Sequence, residues 1–268
     1  MNARPIADLH AHTLASGHAF NTLDEMAQAA AAAGLTTLGI TDHGPTMTGA
    51  PTHGYFEMAH RLPGTLHGVR ILLGCEANIL DHKGSIDIDG QWASSQGVLL
   101  AGLHGRTPYD AESSTTKNTA AVIGAIENSA VHIISHPYRQ QFPVEPGPVA
   151  RAAAACGTAL EVNLSIFKPL LADPEHLKTH PAVRVTQEML GELLHHGGTF
   201  VLNSDAHHAS EIAANHAAAE RVCAALKIPL SQAGNYGRRL RLDLPSLKDN
   251  EPLELVTPSE NDRTGGAQ

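Results

Sequence analysis

The chain has 268 residues, with 18 Lys and Arg against 27 Asp and Glu for a formal charge of −9, and three cysteines, Cys75, Cys156 and Cys223. That length suffices for one large domain or two small ones, with no disulfide or structural metal needed to stay folded. The acidic balance disfavours broad nucleic-acid binding, and three cysteines without paired spacing exclude a disulfide framework or a cysteine zinc finger and fit a reducing compartment. No run reaches the roughly 18 apolar residues of a membrane span, and "MNARPIADLH" has no apolar stretch of the signal-peptide kind. The expectation is a cytoplasmic protein with no membrane partner. Histidine is the outlying number: 18 residues, as many as Lys and Arg together.

The first apolar run, "IADLH" (6–10), leads into His10 and His12. In extended backbone Asp8, His10 and His12 would share one face, and two neutral imidazoles side by side can grip one metal ion. The alanine-rich "TLDEMAQAAAAAGL" (22–35) reads as a helix with acids in its first turn, Asn21 or Thr22 as N-cap and Gly34 as C-cap. "TTLGIT" (36–41) is a second strand, followed by Asp42, which could be a helix N-cap, and His43. A weaker helix over 53–66 should stop at Pro63. "VRILLGCE" (69–76) ends in Glu76, and "GVLLAGLH" (97–104) ends in His104. After a helix over 118–129, "VHIISH" (131–136) ends in His136. After a helix over 145–157, "TALEVN" (158–163) ends in Asn163. A helix over 185–198 precedes "GTFVLNSD" (198–205), which ends in Asp205 with His207 two residues on. A last helix is expected over 211–227. From about residue 246 the composition turns polar, and 246–268 is expected to be a partly disordered tail.

Apolar strands alternating with helices imply a mostly parallel sheet covered on both faces. Seven of them suit an α/β fold of the distorted TIM-like (β/α)7 barrel kind over residues 1–245, with a doubly wound open sheet as the alternative. Neither G-x-G-x-x-G nor a Walker A sequence is present, so a nucleotide site of those kinds is unsupported. In (β/α) barrels functional side chains gather at the C-terminal ends of the strands. Metal-ligand residue types stand at six of the seven strand ends, so the residues alone predict two or three divalent metal ions at the barrel mouth.

The stretches "DLHAHTLASGHAFNTLDE" (8–25), "GITDHGP" (39–45), "GCEANI" (74–79), "HIISHP" (132–137), "LEVNLSIF" (160–167) and "NSDAHH" (203–208) together resemble the PHP (polymerase and histidinol phosphatase) superfamily, and within it the YcdX-like phosphatases. The resemblance spans roughly the first 230 residues. It implies a distorted (β/α)7 barrel with three metal ions, usually zinc, with manganese or iron as options. His10, His12, Glu76 and Asp205 would hold one ion, and His18, His43 and His207 a second. Glu76, His104 and His136 would hold a third, making Glu76 a bridge. His18 enters only through the resemblance, because it lies in the loop "LASGHAF". Seven nitrogens with two carboxylates suit zinc, manganese or iron rather than calcium or magnesium. The other eleven histidines (53, 60, 67, 82, 132, 176, 180, 195, 196, 208 and 216) are expected to be surface or packing residues.

The implied activity is hydrolysis of a small phosphomonoester by a metal-bridging hydroxide at a trinuclear site, with Asp205 as both ligand and orienter and Glu76 as bridge. Where family members often continue the His104 motif with Glu-Pro, this chain has "HGRTPYD", and the loop after His136 reads "PYRQQFPVEP". Arg106 and Arg139 on these loops are candidates to hold a phosphate oxygen, since an Arg fork matches phosphate geometry. Two alternatives keep the same residues: a metal-dependent phosphodiesterase or 3′–5′ exonuclease, disfavoured by the charge of −9, and a non-catalytic metal-binding module. The expected partner is a small phosphorylated substrate rather than nucleic acid, and family analogy adds a homo-oligomer, as a trimer.

Overall fold

A computed structural model describes residues 4–88, 90–109, 113–237, 240–242 and 244; the expected polar tail lies outside these. The strands are β1 (Ala7–Asp8), β2 (Thr37–Ile40), β3 (Thr65–Leu66), β4 (Val69–Leu73), β5 (Cys75–Asn78), β6 (Leu99–Gly102), β7 (Ile133–Ile134), β8 (Ala159–Asn163) and β9 (Phe200–Asn203). They form two sheets, β1-β2-β4-β3 and β5-β6-β7-β8-β9, parallel throughout except for the short antiparallel β3 on β4.

The apolar run 69–76 is one segment that bends at Gly74. Before the bend β4 pairs with β2, and after it β5 pairs with β6. Gly74 N–H still donates to Ile40 O at 2.8 Å, whereas Cys75 N–H has already changed partner to Val98 O at 3.2 Å. A Cβ at Gly74 would overlap the Val98 carbonyl oxygen, so the close approach admits only glycine. Past the bend a His43↔Glu76 bridge keeps β2's extension beside β5. On the other side, Ala11↔Ala206 joins the extensions of β1 and β9 in parallel, supported by Leu9 N–H to Asn203 Oδ1 at 3.0 Å and Ser204 N–H to Asp8 Oδ1 at 3.1 Å. With β4–β5 taken as one bent strand, seven parallel strands run around the structure, which is a distorted TIM-like (β/α)7 barrel.

Alternation along the strands sorts the apolar residues. Ala7, Leu9, Leu72, Leu100, Ile133, Ala159 and Val201 meet in one small cluster with Leu244, the packed barrel interior. Their neighbours Leu99, Ala101, Ile134, Leu160, Val162, Phe200 and Leu202 face the helices. The helices are α1 (Leu23–Ala32), α2 (His53–Glu57), α3 (Gly90–Ser94), α4 (Thr115–Ile126), α5 (Pro146–Cys156), α6 (Leu164–Leu170), α7 (Pro174–Thr179), α8 (Pro181–His195), α9 (Ala209–His216) and α10 (Ala219–Leu226). Thr22 caps α1 in a full capping box with Glu25, while Asn21 instead accepts the Ala209 N–H.

Two expectations change, and three short helices join the expected ones. The 53–66 segment is α2, a 3₁₀ turn over Met58–Arg61, and β3. The 211–227 helix is two, because α9 ends at His216, whose ring turns inward to Asp8 and Tyr236. The short helices α3, α6 and α7 gave no readable period over five to seven residues.

Gly74→Ala should force the bend open. Overpacking of this kind costs about 1–3 kcal/mol, expected as a lowered urea midpoint with an unchanged slope.

Candidate metal centre

Beyond the last regular pairs of the strands, side chains turn into the barrel mouth. His10 is fully buried and lies at 2.7 Å through Nδ1 from Glu161 Oε1. This leaves Nε2 facing His12 Nε2 at 3.1 Å, Glu76 Oε1 at 3.3 Å and Asp205 Oδ1 at 3.4 Å. His12 is set the same way: Nδ1 is 3.0 Å from Ser16 Oγ, and Nε2 is 3.2 Å from Asp205 Oδ1. The Ser16 hydroxyl donates to Asp42 Oδ1 at 2.6 Å, so its oxygen is left to accept from His12.

The remaining imidazoles crowd around Glu76. Its Oε2 is 2.9 Å from His43 Nδ1, and its Oε1 is 3.1 Å from His104 Nε2 and 2.9 Å from His136 Nε2. His104 and His136 face each other through Nε2 at 3.2 Å, as do His18 and His43. The His207 ring lies 4.3 Å from that of His12 and 5.0 Å from that of His18. The donor atoms of three sets come within 4.8 Å of one another: His10, His12 and Asp205; His12, His43 and His207; His43, Glu76 and His104. The sets share members, so the residues form one continuous cluster able to hold metal ions. All nine residues named as ligands from the sequence come together here, although His12 stands closer to His43 and His207 than the expected division implies.

Charge follows from this packing. Burial pushes the Glu76 carboxyl up, but His10, His104 and His43 outweigh it and hold it well below the usual carboxylate range. Asp205 is likewise held well below that range, against its burial, by His10 and His12. Burial pushes His10 down, yet Glu161, Glu76 and Asp205 raise it well above an ordinary imidazole. His12 goes the other way, to about 3, through burial and the neighbouring His43. Burial also lowers His18 and His104. At neutral pH the cluster therefore holds ionised Glu76 and Asp205 carboxylates beside His12, His18 and His104 in the neutral form that binds metal.

Above the cluster opens a pocket of about 390 Å³. Its walls include His18, His43, Glu76, His104, His136, Asp205 and His207, together with Met47, Arg106, Arg139 and Gln141. Both arginines singled out from the sequence thus line it. Arg106, His136 and Asp205 have left-handed backbone, with φ of 65°, 30° and 51°.

Asp8 and Asp42 depart from expectation. Regular pairing of β1 stops at Asp8, so alternation does not carry it to the side of His10 and His12. Its carboxylate takes His216 Nε2 at 3.1 Å and the Ser204 N–H instead. Asp42 is no N-cap: it is fully buried and accepts from Thr13 N–H and Oγ1, Ser16 and Tyr55 OH. Glu161 was missed altogether, although an acid inside the apolar "TALEVN" was a visible anomaly. Among the other histidines, His132 accepts the Leu99 N–H, and His180 and His208 cap α8 and α9.

The family profile of the PHP domain matches residues 8–164. The chain belongs to the PHP family. Among PHP relatives, a protein of Shewanella piezotolerans named "Probable phosphatase" is 34% identical over 249 residues, covering 93% of this chain and 96% of its own. One of Serratia proteamaculans with the same name is 37% identical over 237 residues, 88% of this chain and 92% of its own. A solved structure of histidinol phosphate phosphatase from Lactococcus lactis, complexed with zinc, L-histidinol and phosphate, superposes with a TM-score of 0.57 at 18% identity, covering 84% of this chain and 95% of that one. At that identity the likeness establishes the fold. Among the described residues no helix is long and apolar enough to cross a membrane.

Gly102, at the end of β6, lies under two of the PHP cluster's imidazoles. A Cβ there would overlap Ser135 Oγ and stand 2.9 Å from His136 Cε1 and 3.2 Å from His104 Cε1. Gly102→Ala should push the His136 ring off Glu76 while leaving His10 and His12 in place. Histidine side-chain NMR should then show perturbation confined to His104 and His136.

Proposed function

We propose that this PHP chain is a phosphatase acting on small phosphomonoesters through three divalent transition-metal ions, with zinc the best match and manganese or iron as alternatives. The observation that carries this is the facing of imidazole nitrogens: His10 with His12 at 3.1 Å, His18 with His43 at 3.2 Å and His104 with His136 at 3.2 Å, all around the Glu76 and Asp205 carboxylates. Where neutral rings keep their protons on Nδ1, as His10 and His12 can toward Glu161 and Ser16, two Nε2 lone pairs face each other, and a cation near the pair satisfies both. The donor set of seven nitrogens and two carboxylates fits zinc. In this proposal His10, His12, Glu76 and Asp205 hold one ion, His18, His43 and His207 a second, and Glu76, His104 and His136 a third.

Ions held there would acidify a water, screen phosphate charge and keep nucleophile and leaving oxygen in line. The chain itself does the positioning. Asp205 is steadied through Oδ2 by the Asn163 amide at 2.9 Å, which leaves Oδ1 toward the cluster to orient the attacking water. Arg106 and Arg139, one on each of two adjacent loops, reach the pocket wall where they can take phosphate oxygens. The pocket volume of about 390 Å³ suits a small ester. The names of the relatives and the zinc and phosphate of the Lactococcus lactis structure support the same reading.

Protein purified without added metal should carry two to three transition-metal ions per chain by elemental analysis. It should hydrolyse a generic phosphomonoester faster than a phosphodiester, lose activity to a chelator and regain it with Zn²⁺ or Mn²⁺. Less than one equivalent of metal, unchanged after supplementation, would sink the proposal, and a preference for diesters would move the activity to the phosphodiesterase class.

A charge-assisted bond to phosphate contributes about 1.5–3 kcal/mol. Arg106→Ala should therefore lower kcat/KM about tenfold to a hundredfold with metal content intact, with Arg139→Ala as the matched test. If both single variants and the double variant match wild type, the metals alone hold the phosphate.

A further inference from the structure

Glu161 sits in β8 between Leu160 and Val162, which face the helices, so its own side chain points the other way, toward the barrel axis beneath the cluster. It is 2% exposed, and it meets no lysine or arginine in any ion pair among the described residues. Four nitrogens surround its carboxylate. Oε1 takes His10 Nδ1 at 2.7 Å and Asn203 Nδ2 at 2.9 Å, while Oε2 takes the His136 backbone N–H at 2.8 Å and Asn163 Nδ2 at 3.1 Å. Asn163 Nδ2 also donates to Asp205 Oδ2 at 2.9 Å. One carboxylate therefore reaches three of the proposed ligands: His10 through its ring, His136 through its backbone and Asp205 through an amide.

We propose that Glu161 is a positioning residue of the metal centre, fixing His10 as the tautomer that presents Nε2 to metal and tying the backbone of His136 and the Asp205 carboxylate to the same point. This rests on the metal-binding reading above. A carboxylate can only accept here, so His10 donates from Nδ1, and its neutral, metal-binding form keeps the lone pair on Nε2. A partner of this kind on the far nitrogen of a ligand histidine typically changes metal affinity 10–100-fold. Glu161→Gln keeps shape and volume but turns one acceptor oxygen into a donor. If the amide nitrogen faces His10, the ring must move its proton to Nε2 and lose the ligand. If it faces His136, a backbone N–H is left opposite another donor.

The test is competition for Zn²⁺ alone against a chromophoric chelator, using wild type, Glu161→Gln and Asp87→Asn. Asp87 is the structural control: it is a buried carboxylate with a comparable load, accepting from the Asn78 and Thr46 backbone and side chains, and it bonds to no proposed ligand. Glu161→Gln should weaken the tightest zinc site about tenfold to a hundredfold, whereas Asp87→Asn should retain wild-type affinity even with a lower melting temperature. Equal affinity for wild type and Glu161→Gln overturns the assignment, as does an equal loss in both variants, which would trace the effect to stability. A wild type that binds no zinc overturns the metal-centre reading itself. A second measurement needs no variant to fold: nitrogen-15 histidine NMR of the zinc-loaded wild type should find the His10 proton on Nδ1. A proton on Nε2, or ligation through Nδ1, overturns the proposal.

Discussion

The structure depends on one buried carboxylate among imidazoles. Glu76 is 1% exposed, and His10, His12, His43, His104 and His136 all lie within 3.5 Å of its oxygens. An isolated buried carboxylate is costly, so Glu76 is tolerable only where cationic or coordinated partners surround it. Those partners come from four different strand ends, and they converge only because the barrel brings the ends together. The bend at Gly74 has the same logic. By handing the segment from β2 to β6 two residues before Glu76, it delivers the carboxylate to the axis of the mouth.

The strands and the place of the site were legible because both are local patterns. A run of apolar residues followed at once by His or an acid marks a strand and its functional end, and six such runs among seven strands mark a barrel mouth. His18 escapes that logic, since a loop residue has no strand to place it. Asp8 was misassigned for a related reason: alternation holds only while the ladder lasts, and the β1 ladder lasts two residues. Most partners of Asp42 and Glu161 are set by tertiary contact across separations from 13 to 151 residues, a distance over which periodicity carries no information. Glu161 did leave a trace, a single acid in a run where every neighbour is apolar or small.

Some histidines in the cluster have their outward nitrogen held by the protein, and others do not. His10 leans on Glu161, His12 on Ser16 and His207 on the Asp205 backbone carbonyl, whereas the buried Nδ1 atoms of His104 and His136 have no hydrogen-bond partner among the described residues. The protein therefore sets ring orientation by hydrogen bonds on the β1 side, whereas His136 is held through its backbone N–H instead. Both arginines that line the pocket follow the second pair in sequence, on the loops leaving β6 and β7.

The left-handed backbone at Arg106, His136 and Asp205 has a consequence for the protein's history under selection. Non-glycine residues in that region cost about 1–3 kcal/mol each, a sizeable share of the 5–15 kcal/mol by which a domain is stable. Glycine would relieve the cost at all three places, and in each it would delete a wall of the pocket. His67 and Lys227 adopt the same backbone away from the pocket, so what sets the three pocket positions apart is that relief there would strip the site.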